Sequence, residues 1–436
     1  MTGISDMHAA RREQLMREIG ASGIAVLPAS PERPRNRDVH HPYRQDSDFL
    51  YLTGFPEPDA VAVIVPEREA GEFILFCRER DPTREAWEGR TIGQDDAVSE
   101  YGADDAFPIS DIDEILPGLM EGRDKVYCPM GANPDFDQRL IGWVNALRQR
   151  ARAGVKAPLE YVSLEHILHE MRLIKSREEI AVMREAAQVT AAAHSRVLEV
   201  LRPGLFEYEI EAELLYDFRR HGGEPAYPSI VGGGANACVL HYIANRAPLN
   251  DGDLVLIDAG IELNGYAADI TRTWPVNGQF TAEQRAIYEL VLAAQTAALD
   301  AVRPGVHWNA AHEAATAVLA EGLVDLGLFG GPVEAVLESG DYRRYFMHRT
   351  GHWLGMDVHD VGDYKVDGEW RELEPGMALT IEPGLYIPPG SPCDARWHGI
   401  GVRIEDNCIV TRTGHDNLTA ATPKTVADIE AAMARR

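Results

Sequence analysis

Cysteine is scarce in this chain: five in 436 residues, an odd number, at Cys77, Cys128, Cys238, Cys393 and Cys408, with no CxxC spacing among them. That pattern excludes a disulfide framework and suits reduced thiols in a cytosol. Long apolar runs are also lacking. No segment reaches the length of a membrane-spanning helix, and the opening MTGISDMHAARREQ has no apolar stretch of the signal-peptide kind, so a cytoplasmic protein without membrane attachment is expected. Basic charge is short: 42 Lys and Arg stand against 69 Asp and Glu, a net charge of −27 that would repel a phosphate backbone and argues against nucleic acid as a partner. There is no low-complexity tract. What remains is the composition of a soluble enzyme long enough for two or three domains with ample core.

Strand-like runs (GIAVLP, AVAVIVP, EFILFC, KVYCP) alternate with helical ones up to about residue 170, which predicts an α/β N-terminal domain over 1–172. The stretch Glu170 to Ser176 reads as a connector. A long helix then begins at Ser176, which is spaced with Glu179 as a capping box, and two more helices are expected over about 206–221 and 281–303, the latter opened by Thr281 and Gln284. Between and after them lie antiparallel β units, giving an α+β second domain over 173–436, and the last dozen residues read as a merely polar helix.

The most informative residues are five that together make a complete binuclear metal site: Asp258 in LVLIDAG, Asp269 in GYAADITRTW, His352 in GHWLGMDVHD, Glu382 in LTIEPGLYI and Glu405 in GVRIEDN. Each acid sits in or directly after a strand-forming run, where a carboxylate is costly to bury unless a positive charge neutralises it. Taken singly, an Asp after a strand is usually a turn former and a His beside Trp353 is usually a half-buried structural group. Jointly, four carboxylates match the charge of two divalent cations and a neutral imidazole completes the shell. Asp258 and Asp269 flank an Asn264-Gly265 turn signal, so their strands should pair as a hairpin. Glu382 and Glu405 lie on MALTIEP and GVRIED, predicted to pair across a loop rich in proline and glycine. DLVLIDAG and MALTIEPG share the order strand, carboxylate, one residue, glycine, which reads as a weak internal duplication.

This series of acids and histidine, in this order and with these flanks, resembles the pita-bread metallopeptidases, a group that includes methionine aminopeptidase, prolidase, aminopeptidase P and the non-peptidase creatinase. The stretches HPYRQDSDFLYLTGF, RERD followed by Glu85-Ala86-Trp87 and GQD, MRLIKSREEI and HRTGHWLGMDVHDVG are most similar to aminopeptidase P of the bacterial type, and the match runs from about Tyr43 to about Thr413. The resemblance implies a pita-bread catalytic domain and a homo-oligomer, dimer or tetramer. It also implies an Xaa-Pro aminopeptidase acting on proline-containing peptides, with prolidase, restricted to X-Pro dipeptides, as the alternative. By resemblance Asp269 and Glu405 bridge two metal ions, Asp258 chelates one, and His352 and Glu382 hold the other. The hard donor set favours two Mn2+ per subunit, with zinc, cobalt or iron as substitutes. Creatinase-like chemistry and a metal-free binding module are disfavoured because all five ligands are present.

The same resemblance implies further roles. Glu382 would shuttle a proton between the attacking water and the leaving nitrogen. His359 would hydrogen-bond the substrate near the scissile carbonyl, and His241 would line the proline pocket, with His348 close by. Arg403 is expected to project from the strand face that carries Glu405 and to orient a carboxylate or a tyrosine, and Tyr386 is a further candidate for substrate binding. Trp87 is a candidate contributed by a neighbouring subunit. The i, i+4 spacing of His348 and His352 would suggest a helical zinc pair, but Gly351 and Gly355 argue against a helix there.

Overall fold

The structure, a computed structural model, describes residues 2–435, with side chains from Met7 onward. It divides into two compact units, Met1–Met171 and Arg172–Arg436. The first is α/β. Its six-stranded mixed sheet runs in the order Asp105–Pro108, Phe73–Cys77, Val61–Ile64, Gly23–Pro28, Lys125–Cys128, Glu160–Ser163. The four apolar runs singled out in the sequence form its centre, and their side chains Ile24, Val63, Phe76 and Val126 are fully buried. Strands buried on both faces need such continuous β-branched and aromatic stretches rather than alternation.

The segment expected as a connector is ordered and packed. The helix Glu165–Leu173 takes up its first part, Leu173 is fully buried, Ile174 bridges to Met377, and the Lys175 N–H donates to the Gly376 carbonyl at 2.9 Å. Met171 and Leu173 are thus buried, while the Ile174 side chain stays exposed. Ser176 then opens the helix Arg177–Val200 with the capping box in place, and Thr281 with Gln284 does the same for Ala282–Ala301. The expected third helix is Glu207–Arg220.

Two helices escaped the sequence reading, Ala310–Asp325 and Val333–Ser339. The first is alanine-rich all round, so it shows little apolar stripe, yet it packs along Ala282–Ala301. The terminal helix Val426–Met433 also corrects the expectation of a merely polar one: Val426, Ile429 and Met433 belong to the second unit's core. Among the described residues no helix is long and apolar enough to cross a membrane.

The β units that carry the acids are two hairpins. In one, Leu254–Ala259 pairs antiparallel with Ile270–Pro275, setting Asp258 opposite Thr271. The Asn264-Gly265 turn belongs to a smaller hairpin inside the connection, Ile261–Leu263 with Tyr266–Ala267, and both turn residues have positive φ, 50° and 81°. A Cβ at Gly260 would collide with the Ala268 carbonyl, so only glycine lets the chain double back beside Asp258. In the other hairpin Ala378–Ile381 pairs with Asp406–Val410 and Gly384–Ile387 pairs with Ile400–Arg403. Glu382 and Glu405 sit at the two breaks between these ladders. The hairpins are stitched together where the Glu405 N–H donates to the Thr271 carbonyl at 3.0 Å and the Arg403 N–H donates to Thr273 Oγ1 at 3.2 Å.

Candidate active site

A cavity of about 810 Å³ opens in the second unit, and Asp258, Asp269, His352, Glu382 and Glu405 all line it. Ligating atoms of Asp269, His352 and Glu405 lie within 4.8 Å of one another. His352 Nε2 is 3.4 Å from Asp269 Oδ2 and 3.5 Å from Glu382 Oε1. The imidazole is oriented from behind: its Nδ1 donates to the Trp353 carbonyl at 2.8 Å, so Nε2 points inward and becomes a ligand once it gives up the proton that the neighbouring acids favour on it. Trp353 itself is fully buried and stacked on Tyr364.

The electrostatics record the crowding. Burial, joined by the neighbouring Asp269, pushes the Asp258 carboxyl up to about 6 even though Arg403 opposes it. Burial raises Glu382 to about 7 against the pull of His352 and Arg403. Glu405 is driven well above the usual carboxylate range by burial and by Asp269, Glu382 and Asp258. Burial also opposes charge on His352, but Asp269 and Glu382 outweigh it and raise its pKa to about 9. Burial likewise pushes Asp269 up, but His352, Tyr227 and Arg403 outweigh it and hold it below the ordinary value. Without cations, then, the cluster gathers protons to relieve its own repulsion.

These residues fit a pair of divalent cations. Glu405 Oε1 is buried with no hydrogen-bond partner, an acceptor left over for something positive. The donors are oxygens and one imidazole nitrogen with its second nitrogen tied to a carbonyl, a hard set in which cations would replace the gathered protons.

A second layer holds this one in place. Arg403 Nη2 donates to Asp258 Oδ2 at 2.5 Å, its Nη1 to the Tyr386 hydroxyl at 3.1 Å, and its Nε to Thr271 Oγ1 at 3.1 Å. Tyr386 is fully buried, and its hydroxyl lies 2.8 Å from His348 Nε2. His348 Nδ1 faces the Arg349 carbonyl at 2.6 Å, so Nδ1 donates there and Nε2 accepts from Tyr386. Burial and the charge of Arg403 bring the His348 pKa down to about 3, keeping the ring neutral. His241 and His359 also line the cavity, and burial lowers the His359 pKa. Arg403 thus faces the site as its strand position suggested. No helix runs through 345–378 to make a His348–His352 pair. Trp87 lies in the first unit, 87 % exposed on the helix Pro82–Glu88.

Three hydroxyls that the sequence reading missed belong to this layer. Tyr227 lies 2.6 Å from Asp258 Oδ1 and 2.5 Å from Asp269 Oδ1. Thr271 donates to Glu405 Oε2 at 2.6 Å. Thr380 accepts from the His352 N–H at 3.0 Å and reaches Glu382 Oε1 at 3.3 Å. Thr271 carries a sequence signal, two residues from Asp269 on the same strand face; Tyr227, in AYPSI, carries none without the register that sets Ile230 opposite Asp258. The loop bearing His359 is braced by a buried ion cluster also absent from the sequence reading: Asp360 accepts from Arg172 at 2.6 Å and Lys175 at 2.8 Å, and Arg172 reaches Asp357 at 2.7 Å.

Residues 181–412 match the model of metallopeptidase family M24, and residues 8–127 match the aminopeptidase P N-terminal domain. The chain is 45% identical over 425 residues to the Xaa-Pro aminopeptidase of Escherichia coli K12, covering 97% of this chain and 96% of that one. It is 34% identical to human Xaa-Pro aminopeptidase 3, covering 98% and 86%. Among solved structures, Pseudomonas aeruginosa aminopeptidase PepP superposes with a TM-score of 0.98 at 60% identity over 99% of this chain and 98% of that one. Zinc-substituted E. coli aminopeptidase P in complex with product superposes with a TM-score of 0.96 at 44% identity, over 99% and 98%.

Proposed function

The chain belongs to metallopeptidase family M24, in the aminopeptidase P branch, and on that premise we propose that it acts as an Xaa-Pro aminopeptidase. It is a metallopeptidase that releases the first residue of peptides with proline in second position, built from an α/β N-terminal domain and an α+β pita-bread catalytic domain. The observation that carries this reading is the meeting, in one cavity, of four carboxylates and an inward-pointing His352 Nε2 with His241, His348 and His359 on the wall.

We assign Asp269 and Glu405 as the residues that would be shared by two Mn2+ ions per subunit, with Asp258 holding one and His352 with Glu382 the other; zinc, cobalt or iron are possible substitutes at the same donors. Bound there, the ions would supply Lewis-acid chemistry, lowering the pKa of a water and polarising a peptide carbonyl. Glu382, lining the same cavity, is suited to take that water's proton and deliver it to the leaving nitrogen. Asp258, clamped by Arg403, and the metal it holds would meet the substrate's free α-amino group. His359 hydrogen-bonds near the scissile carbonyl. His241 and the neutral His348 flank the proline ring, and Tyr386 with Arg403 keeps His348 oriented.

Proline's amide has no N–H and its φ is fixed, so a cleft that reads flat rings rather than a ladder of N–H groups suits it. A homo-oligomer in the cytoplasm, with Trp87 reaching a neighbouring subunit, completes the proposal. The test is a series of Ala-Pro peptides of two to five residues with added manganese. Cleavage of tripeptides and longer peptides at least as fast as the dipeptide supports the reading. Cleavage of dipeptides alone would make the enzyme a prolidase.

A further inference from the structure

Three cations line the cavity, and one of them, Arg403, is committed to Asp258 and Tyr386. The other two, Arg349 and Lys365, are exposed at its rim and form no ion pair among the described residues. Arg349 spends one Nη2 bond on the Asn309 side-chain oxygen. Both cations lie against the same ring: the Arg349 guanidinium carbon is 5.1 Å and Lys365 Nζ 4.5 Å from the centre of Trp370. Asp363 sits on the same wall without an ion pair to either.

The arrangement is held by backbone. Lys365 and Trp370 are direct cross-strand partners in the hairpin Lys365–Val366 with Glu369–Trp370, so both side chains leave the same face. Its two-residue turn, Asp367 and Gly368, has positive φ at both positions, 52° and 86°. The base of the hairpin is pinned where the Trp308 N–H donates to the Arg371 carbonyl at 2.8 Å and the Arg371 N–H donates to the Tyr364 carbonyl at 3.0 Å. Arg349 comes directly after His348, and its own carbonyl accepts the His348 Nδ1 proton.

A chain of net charge −27 repels anions at long range. Two unpaired cations steadied on an aromatic face at the mouth of a cavity lined by acids are therefore a local exception, with N–H groups turned to solvent and no acid among the described residues to satisfy them. We propose that Arg349, Lys365 and Trp370 form an outer subsite that binds a carboxylate carried by the leaving peptide one residue beyond proline. This rests on the Xaa-Pro reading, in which His348 marks the proline position and its neighbour Arg349 marks the position of the third residue. The carboxylate can be the C-terminus of a tripeptide or an acidic side chain at the third position.

The test compares kcat/KM of the manganese-loaded enzyme on two pairs of peptides. Ala-Pro-Ala as free acid against its amide reports on the C-terminus, and Ala-Pro-Glu-amide against Ala-Pro-Gln-amide reports on the side chain. Wild type should prefer the charged member of at least one pair by about three- to tenfold, less at high salt. Which pair responds identifies the source. Arg349→Gln with Lys365→Gln should bring the ratio close to one, and Trp370→Leu should lower it. Because each ratio is taken within one variant, changes in folding or metal content cancel. No preference in wild type for either pair, or a preference unchanged in the double variant, overturns the subsite. Failure to cleave any of the four peptides would instead count against the Xaa-Pro reading.

Discussion

Arg272 and Asp406 form an ion pair at 2.7 Å with both side chains fully buried, one residue beyond Glu405. Asp406 also accepts from Lys424, Gln295, Asn417 and Thr419, and Arg272 donates to the Glu405 carbonyl at 2.6 Å. The strand that delivers Glu405 is thereby fixed from behind by charge-assisted bonds, while its front faces the other carboxylates. Arg272 sits on the strand directly after Asp269, so the pair ties together the elements carrying both proposed bridging ligands.

Removing Asp406 leaves the buried Arg272 guanidinium and the half-buried Lys424 ammonium without their counter-charge. Asp406→Ala should lower stability by about 3–5 kcal/mol and reduce metal content as Glu405 loses its support. Urea unfolding of the manganese-loaded protein measures the first and elemental analysis the second. A loss well under 1 kcal/mol with full metal content would contradict the arrangement.

Asp269→Ala and Glu405→Ala should each remove bound metal and activity together, because each deletes a ligand shared by both ions. His352→Ala should leave one ion weakly held. The measurement is metal per subunit beside turnover for each variant, and near-normal turnover without Asp269 or Glu405 would sink the ligand assignment.

The Asp360 cluster gives a pH dependence with a definite sign. Burial pushes its carboxyl up, but Lys175 and Arg172 outweigh that and hold it below the ordinary value of 3.8. A carboxyl depressed by folding contributes stability that is present above the unfolded value, about 3.9, and is lost as pH falls through the folded one. Wild type should therefore exceed Asp360→Asn in unfolding free energy by a constant margin from neutral pH to about 5, and the margin should shrink below about 4. A margin that grows on acidification would reverse the assignment.

How much of this was open to a reader of the sequence depended on range. The carboxylate strands were legible because a run such as LVLID announces both a buried strand and the anomaly of an acid at its end. Capping boxes at Ser176 and Thr281 were legible because they are local. The Asn264-Gly265 turn was seen but given to the outer pair of strands, since pairing register is a property of two segments. Tyr227, Thr380 and the Arg172–Asp360 contact were invisible for the same reason: each partner is unremarkable until the fold sets it beside a residue far away in the chain. Nothing in the sequence singles out Lys365 or Arg349, and only the ring of Trp370 between them makes them a pair.

The sharpest separation of binding from chemistry is at Glu382. Its backbone N–H donates to the Thr350 carbonyl at 2.7 Å and its carboxylate is met by Thr380, so its position does not depend on its charge. Glu382→Gln keeps the length, the fold contacts and one coordinating oxygen but has no site for the proton that the attacking water must lose. We expect metal content near wild type, KM for Ala-Pro-Ala changed little, and kcat lowered by about 10²–10⁴. A structural role alone would move KM and metal content along with kcat. Full activity in this variant would refute the proton shuttle, and loss of metal in proportion to activity would reduce Glu382 to a ligand.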